Sequence, residues 1–403
     1  MKRFNSKNNF IISLASLCLL SVFSSCGFDD EGIFYSVRNE IELDDSDISG
    51  DVHAIIRFPV GGDEHLFVTN GDILHRSIAV NKDSNGNTVS SLTNSIANSK
   101  NSDYWSKFAN PNGHTHGLAA DTTYLYALSY SEKINDDGEN VGDNRYLWCY
   151  AGGAWKQIWT ASYSSSTSAI LFGTNTLNPA NRSAYFRYGS KVWKLSGTTV
   201  LSDSNVMDST TITSTVKTVD NDPNTKPTSL ARSCVYFNGS VYFSSAYSFV
   251  TNETMSLDSS GNISYTAPTY AYRIYRDGAS ESKDVVYYTN DFSTWASRSM
   301  DCDTIHCLAV TSDYLIAGTD SGMKHTPWES SGVPKSGNSN FSTNAASVFS
   351  SYYRIENILV VDPSLTETGT SIYASSTSSS TYASSKNIGL WSYYPTKGKW
   401  NRE

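Results

Sequence analysis

The sequence predicts an all-β fold assembled from four-stranded units that repeat around a closed ring. Three observations predict it. Beyond one apolar stretch near the start, helical periodicity is almost absent, and short alternating runs are separated by Gly, Pro, Asn, Asp and Ser clusters. The 403 residues include 26 Tyr, 16 Phe and 9 Trp but only 17% charged residues, a mix suited to pleated, half-buried surfaces. The runs also recur, at an average spacing of about 60 residues that stretches with the loops between them.

Six units are legible in order. Apolar runs at 54–58, 117–120, 169–172, 234–237, 305–310 and 358–361 each lead into a second strand, at 65–71, 124–129, 183–186, 240–245, 314–319 and 371–375. A strand, a tight turn and a tryptophan then recur. Leu147-Trp148 passes through Gly152-Gly153 to Trp155, and Leu390-Trp391 through Gly398 to Trp400. Val286-Tyr287 passes through Asp291 and Ser293 to Trp295, and Val192-Trp193 through Gly197 to Val200 as a degenerate copy. Length alone suggests two or three domains, but one blade cannot bury both faces of its sheet, and ring closure buries them between neighbours. Over 33–403 the chain therefore resembles the β-propeller superfamily, with six blades, the segment 32–37 either completing the last blade and closing the ring or belonging to a seventh. It lacks the Gly-His and Trp-Asp marks of WD repeats and the double glycine of kelch repeats, so the resemblance is architectural and implies no activity. Segments 81–111, 132–143, 202–227, 248–270 and 323–342 read as loops, and the Ser/Thr-rich tract 373–385 as a long hairpin loop. Loops at one rim of such a ring are the expected recognition surface.

Lys2, Arg3 and Lys7 precede a mostly apolar run, 10–22, which is too short to span a bilayer. Small residues follow, in Phe23-Ser24-Ser25-Cys26-Gly27. This is the layout of a secretory signal, and the cysteine at its end resembles the lipobox of bacterial lipoproteins, with Phe23 where that family usually has Leu. The resemblance implies a signal peptide over 1–25, cleavage before Cys26 and acylation of Cys26, with 26–32 as a lipidated tether. An ordinary signal peptide cut near Ser25 is the alternative. Gly27, where an aspartate would favour inner-membrane retention, leans the expectation towards the outer membrane.

Removing residues 1–25, which hold three basic residues and no acidic ones, takes the formal net charge from −9 to −12. So acidic a chain is a poor partner for phosphate backbones, and nucleic acid is not an expected partner. Cys149, Cys234, Cys302 and Cys307 remain in the mature part. Three of them lie in apolar strand-like runs and read as buried thiols, although Cys302 and Cys307 are close enough in sequence to bridge.

Few residues point to chemistry. Ile56-Arg57-Phe58-Pro59 resembles the arginine-x-proline element of sialidase propellers, which implies an arginine that pairs with a substrate carboxylate. The bland reading is a strand arginine before an edge proline. Thr289–Trp295 is similar to the Asp-box of sialidase blades, one residue short and lacking its glycine. His114 and His116 fall on one face of a strand, a possible metal start that Asp301, Asp303 and His306 could complete, but no third ligand is set by spacing. Asp136–Asn140 and Asp220–Asp222 gather oxygen ligands as calcium prefers, without EF-hand spacing. The expectation is a membrane-anchored binding or scaffold module for protein or glycan ligands, with no cofactor beyond the lipid on Cys26. A glycan-active, sialidase-like hydrolase or lyase, or a structural component of an envelope assembly, is the alternative.

Overall fold

The structure is a computed structural model that describes residues 48–77, 105–134, 140–162, 166–207, 216–218, 231–257, 263–275, 284–302, 304–330, 332–340, 353–361, 372–379, 388–394 and 399–403. Cys26, the segment 32–37, Asp303, Asp136 and Asp220–Asp222 lie outside the described residues. No helix among the described residues is long and apolar enough to cross a membrane.

Six sheets of four or more strands are arranged as a β-propeller. The first holds β1 (Ala54–Val60), β2 (Asp63–Thr69), β3 (Ile73–Ser77) and β4 (Ser106–Lys107). The second holds β5 (His114–Ala120), β6 (Leu125–Ile134), β7 (Asn140–Ala151) and β8 (Ala154–Ser162). The third has six strands in the order β11-β10-β9-β13-β14-β12. They are β9 (Ala169–Asn175), β10 (Ala184–Tyr188), β11 (Lys191–Lys194), β12 (Val216–Thr218), β13 (Ser233–Phe237) and β14 (Ser240–Ser244). In the fourth, β15 (Phe249–Thr251) pairs with β18 (Ala271–Tyr275), followed by β19 (Asp284–Thr289) and β20 (Ala296–Cys302). Between β15 and β18 stands a separate hairpin, β16 (Thr254–Leu257) with β17 (Ile263–Thr266). The fifth comprises β21 (Ile305–Val310), β22 (Tyr314–Thr319), β23 (Gly322–Ser330), β24 (Val333–Pro334) and β25 (Ser339–Asn340). The sixth comprises β26 (Tyr353–Val360), β27 (Ile372–Ser378), β28 (Gly389–Tyr394) and β29 (Lys399–Arg402).

The largest sheet is double. β9 and β13 pair in parallel through Cys234↔Thr174 and Val235↔Asn175, so each opens its own antiparallel unit in the same direction. First strands then neighbour one another in sequence, β1 to β5, β9, β13, β15, β21 and β26, and β26 returns to β1. The six sheets thus present seven first strands to the ring. Where the sequence suggests one unit over 234–295, the chain builds the pair β13–β14 and a complete further sheet from β15 to β20.

The core lies between sheets. Phe58 and Phe67 meet Leu118 and Ala127, Tyr126 and Leu147 meet Phe186 and Trp193, and Ile316 meets Ile355 and Trp391. Second strands are buried on both faces, which makes their sequences continuous apolar runs rather than alternating ones. Leu66, Phe67 and Val68 are all fully buried, as are Leu125, Tyr126 and Ala127. Tight turns join the strands. Asn238-Gly239 carries two positive φ values, 45° and 82°, which the two-residue turn between β13 and β14 requires.

Several loop expectations are corrected. β6 and β7 extend through much of 132–143 as a long hairpin, and β23 to β25 occupy most of 323–342. Tyr373, Ala374, Ser375 and Ser376 form the buried heart of β27 rather than a loop. Small hydroxyls suit that position because each finds a partner inside the sheet: Ser375 Oγ accepts from the Asn357 amide nitrogen at 3.0 Å, and Ser376 Oγ accepts from Trp391 Nε1 at 3.2 Å.

Gly318 of β22 marks a close approach between the fifth and sixth sheets. A Cβ there would stand 2.5 Å from both Cys307 Sγ and the Ile355 carbonyl oxygen. Gly318→Ala is expected to cost about 1–3 kcal/mol by overpacking, measured by denaturant unfolding. A neutral result would show that the two sheets separate easily.

All four described cysteines are buried free thiols, and Cys302 and Cys307 sit in different sheets without bridging. Burial pushes the Cys149 thiol up to about 12 and those of Cys234 and Cys307 higher still. The native protein is therefore expected to leave these thiols unreactive to a disulfide reagent at neutral pH until it is unfolded.

Candidate functional site

Arg57 is the sequence-predicted residue with the most informative surroundings. It sits in β1, and a two-residue turn of Gly61 and Gly62 brings Glu64 of β2 back beside it. Arg57 Nε is 3.2 Å from Glu64 Oε1. The same oxygen accepts from Arg182 Nη2 at 2.5 Å. Arg182 follows a short 3-10 turn at Pro179–Asn181, in the connection from β9 to β10. Connections after two first strands therefore meet at one end of the ring.

A third arrives from the fourth sheet. Glu253, just after β15, accepts from the Thr176 hydroxyl at 2.8 Å and the Leu177 amide at 2.5 Å. It opens the inserted hairpin, whose base is pinned by Asn252: its Oδ1 accepts from the amides of Thr269 and Tyr270 at 2.9 and 2.8 Å. Side chains alternate across a strand. Thr254, Ser256, Ser264 and Thr266 are exposed, while the opposed pair Met255 and Tyr265 point the other way, Met255 buried and Tyr265 half-buried. Tyr265 lies within electrostatic reach of Arg57, Glu64, Arg182 and Glu253.

The charges are unusually dry. The Arg57 and Arg182 side chains are 7% and 6% exposed. Burial pushes the Arg57 guanidinium down, Glu64 opposes that, and Arg182 adds to it. Arg57 Nη1 and Arg182 Nη1 are buried without a hydrogen-bond acceptor, while Arg57 Nε has its 3.2 Å ion-pair contact with Glu64. Each orphaned donor costs about 1–3 kcal/mol, and more when charged. Such a cost is tolerated where strain or function holds it. Burial also pushes the Tyr265 phenol up, so at neutral pH it is a hydrogen-bond donor.

The remaining candidates are dispersed. His114 and His116 are both exposed on β5, as strand periodicity requires. His116 meets His53, with ring centroids 4.5 Å apart, and Tyr130 at 4.8 Å. No group of three or more metal-ligating side chains occurs among the described residues. Asp301, with φ 52°, lines a cleft of about 190 Å³ together with Thr304, Asp320, Lys324 and Asn338. His306 reaches the same cleft through Asp320, its Nε2 2.7 Å from Oδ1, and Arg354 Nε donates to that oxygen at 2.8 Å. Burial pushes the Asp320 carboxyl up, but these bonds outweigh it and hold the group below its ordinary value.

The Asp-box-like segment has a structural task. Asp291 Oδ1 accepts from the amides of Ser293 and Thr294 at 2.8 and 2.9 Å. That turn holds Phe292 at φ 60° and lays its ring on Tyr242, centroids 3.7 Å apart, joining the third sheet to the fourth. The Thr294 amide, then the hydroxyl and amide of Ser293, hold the Asp291 carboxyl down to about 2. Because its folded value lies below the ordinary 3.8, its contribution to stability is full above the unfolded value and is lost as pH falls towards 2. A carboxyl-carbon NMR titration is expected to show this midpoint, and Ser293→Ala to raise it.

No protein-family model and no curated protein matches the chain. Among solved structures it is similar to the crystal structure of the computationally designed Ika8 protein, at 8% identity and a TM-score of 0.37, over 89% of this chain and 87% of that one.

Proposed function

We propose that the protein is a membrane-anchored bacterial envelope lipoprotein whose propeller acts as a binding module, with its ligand seated at the ring end formed by Arg57, Arg182 and the β16–β17 hairpin. One observation carries the binding reading: three connections converge to place orphaned guanidinium nitrogens beside two carboxylates and a phenol. A rigid ring presenting connections at one end is a sound binding scaffold. The anchoring rests on the signal-like segment ending at Cys26. Intact mass and membrane fractionation of the native protein test the tether. A diacylglyceryl or triacyl mass on a chain starting at Cys26, with release of Cys26→Ala into the soluble fraction, supports it, and an unmodified chain overturns it. Binding of the full-length protein to envelope glycan extract, lost in Arg182→Gln, tests the module.

A glycan-active enzyme is the second reading, favoured by a tyrosine beside two glutamates in that cluster. The upward-shifted phenol suits a donor better than a nucleophile. Turnover of glycan substrates that Tyr265→Phe abolishes would establish the enzyme.

A further inference from the structure

We infer that His65 and His75 form a two-imidazole site for a divalent transition ion, Cu(II) foremost, on the first sheet. β2 and β3 pair antiparallel, with His65 opposite Ser77 and His75 opposite Phe67. His65 and Phe67 are two residues apart on β2, so both imidazoles leave the same face of the sheet as diagonal neighbours. Glu64 precedes His65 and so turns to the opposite face with Arg57, which makes this site independent of the Arg57 cluster. The two Nδ1 atoms are 3.0 Å apart. Aromatic neighbours hold the rings in place. Phe67 stacks on His75 with centroids 5.2 Å apart, and Phe108 meets the same ring edge-on at 5.2 Å. Phe67 belongs to the apolar core between the first and second sheets, with Phe108 packed against it, while both histidines stay half-buried.

A contact between two Nδ1 atoms holds one proton at most, because two imidazolium rings would both donate and repel. One ring therefore presents a lone pair, and a shift of the other to its Nε2–H tautomer frees both lone pairs for one ion. The displaced proton stays on its own ring, and coordination changes no oxidation state. Bonds of about 2.0 Å to nitrogens at this separation subtend about 97° at the ion. That is near the cis angle of a square-planar ion, whereas the tetrahedral geometry of zinc would spread the nitrogens to about 3.3 Å. Imidazole suits several divalent ions, and copper stands highest among them in affinity. Water fills the remaining positions, since no group of three metal-ligating side chains occurs among the described residues. Phe67 and Phe108 fix the ring orientation, a task that outer-shell partners perform at metal sites. The ion would staple β2 to β3.

The test uses the full-length protein in detergent, titrated calorimetrically with Cu(II) chloride in a non-coordinating buffer. Saturable binding of one ion per chain is expected. Electron paramagnetic resonance of the wild type is expected to show an axial signal split by two imidazole nitrogens. His65→Gln and His75→Gln are each expected to weaken binding at least about tenfold, since loss of one of two ligands costs no less than loss of an outer-shell partner. His114→Ala/His116→Ala, which removes the other two neighbouring imidazoles on one strand face, is expected to leave the affinity unchanged. Cu(II) is expected to raise the melting temperature of the wild type and not that of His65→Gln. Should His75→Gln fail to fold for want of its stack on Phe67, His65→Gln and the wild-type spectrum decide. Absence of saturable binding, a signal with fewer than two imidazole nitrogens, or binding that His65→Gln leaves intact overturns the inference. Binding abolished by His114→Ala/His116→Ala overturns it as well.

Discussion

Replacing Glu403 by alanine is expected to destabilise the protein by about 3–5 kcal/mol, the usual cost of removing one partner from a buried ion pair. The Glu403 side chain is 1% exposed and that of Arg76 4%, with Arg76 Nη1 2.7 Å from Glu403 Oε2. Trp105 Nε1 donates to the same oxygen at 2.9 Å, and the Ser392 hydroxyl donates to Oε1. Arg76 lies in β3 and Trp105 just before β4, whereas Ser392 lies in β28. One carboxylate therefore fastens the first sheet to the sixth. Backbone bonds run alongside it, from the Ile48 amide to the Glu403 carbonyl at 3.2 Å and from the Glu403 amide to the Leu390 carbonyl at 2.9 Å. A propeller is stable only as a closed ring, so loss at this seam is expected to register globally. Guanidinium unfolding measures the cost. Hydrogen exchange should show the seam around Ile48–Val52 opening before the second to fifth sheets. The double variant Arg76→Leu/Glu403→Leu is expected to cost less than the sum of its singles, because the desolvation of both charges disappears together. Strict additivity would show that the two groups do not act as a pair.

The ring was legible in sequence wherever burial on both faces made continuous apolar runs. β2, β6, β10, β14, β22 and β27 all fall on the second strands expected from such runs, because a strand sandwiched between neighbours has no solvent face to encode. The unit from β15 to β20 was obscured for a local reason. Its first strand is only three residues, Phe249–Thr251, and a polar hairpin interrupts the path to β18, so the span 248–270 has the composition of a loop. Val286-Tyr287 and Trp295 carried the repeat signal but could not show that they belong to a separate sheet. The candidate site was half visible. Arg57 stands out by its local pattern, whereas Arg182 lies 118 positions beyond Glu64 and reaches it only once the ring has closed. Glu64, Glu253 and Tyr265 carry no local signature. What could have flagged them is an insertion of alternating polar residues in the first connection of one unit, since such an insertion has to cover something.

Replacing Glu64 by alanine is expected to cost about 3–5 kcal/mol as well, for a different reason. Glu64 is the one carboxylate in direct contact with both Arg57 and Arg182 among the described residues, at 3.2 and 2.5 Å. Its removal leaves two nine-tenths-buried guanidinium groups facing each other, with Glu253 held off by Thr176 and Leu177. Like charges in a dry setting repel strongly. The variant should unfold at lower denaturant, and the hairpin over the cluster should become sensitive to protease before the blades do. Its response to anions tests whether the two guanidinium groups take up a carboxylate from solution once Glu64 is gone. If the guanidinium fork is built to take a carboxylate, added acetate will enter the space left by the Glu64 side chain and raise the melting temperature of Glu64→Ala more than that of the wild type, by mass action on the folded state. Chloride at equal ionic strength controls for screening. Arg182→Met in the Glu64→Ala background should restore stability by removing the repulsion, and should abolish the acetate response with it. An acetate response that persists without Arg182 would place the anion elsewhere and remove the fork as its cause.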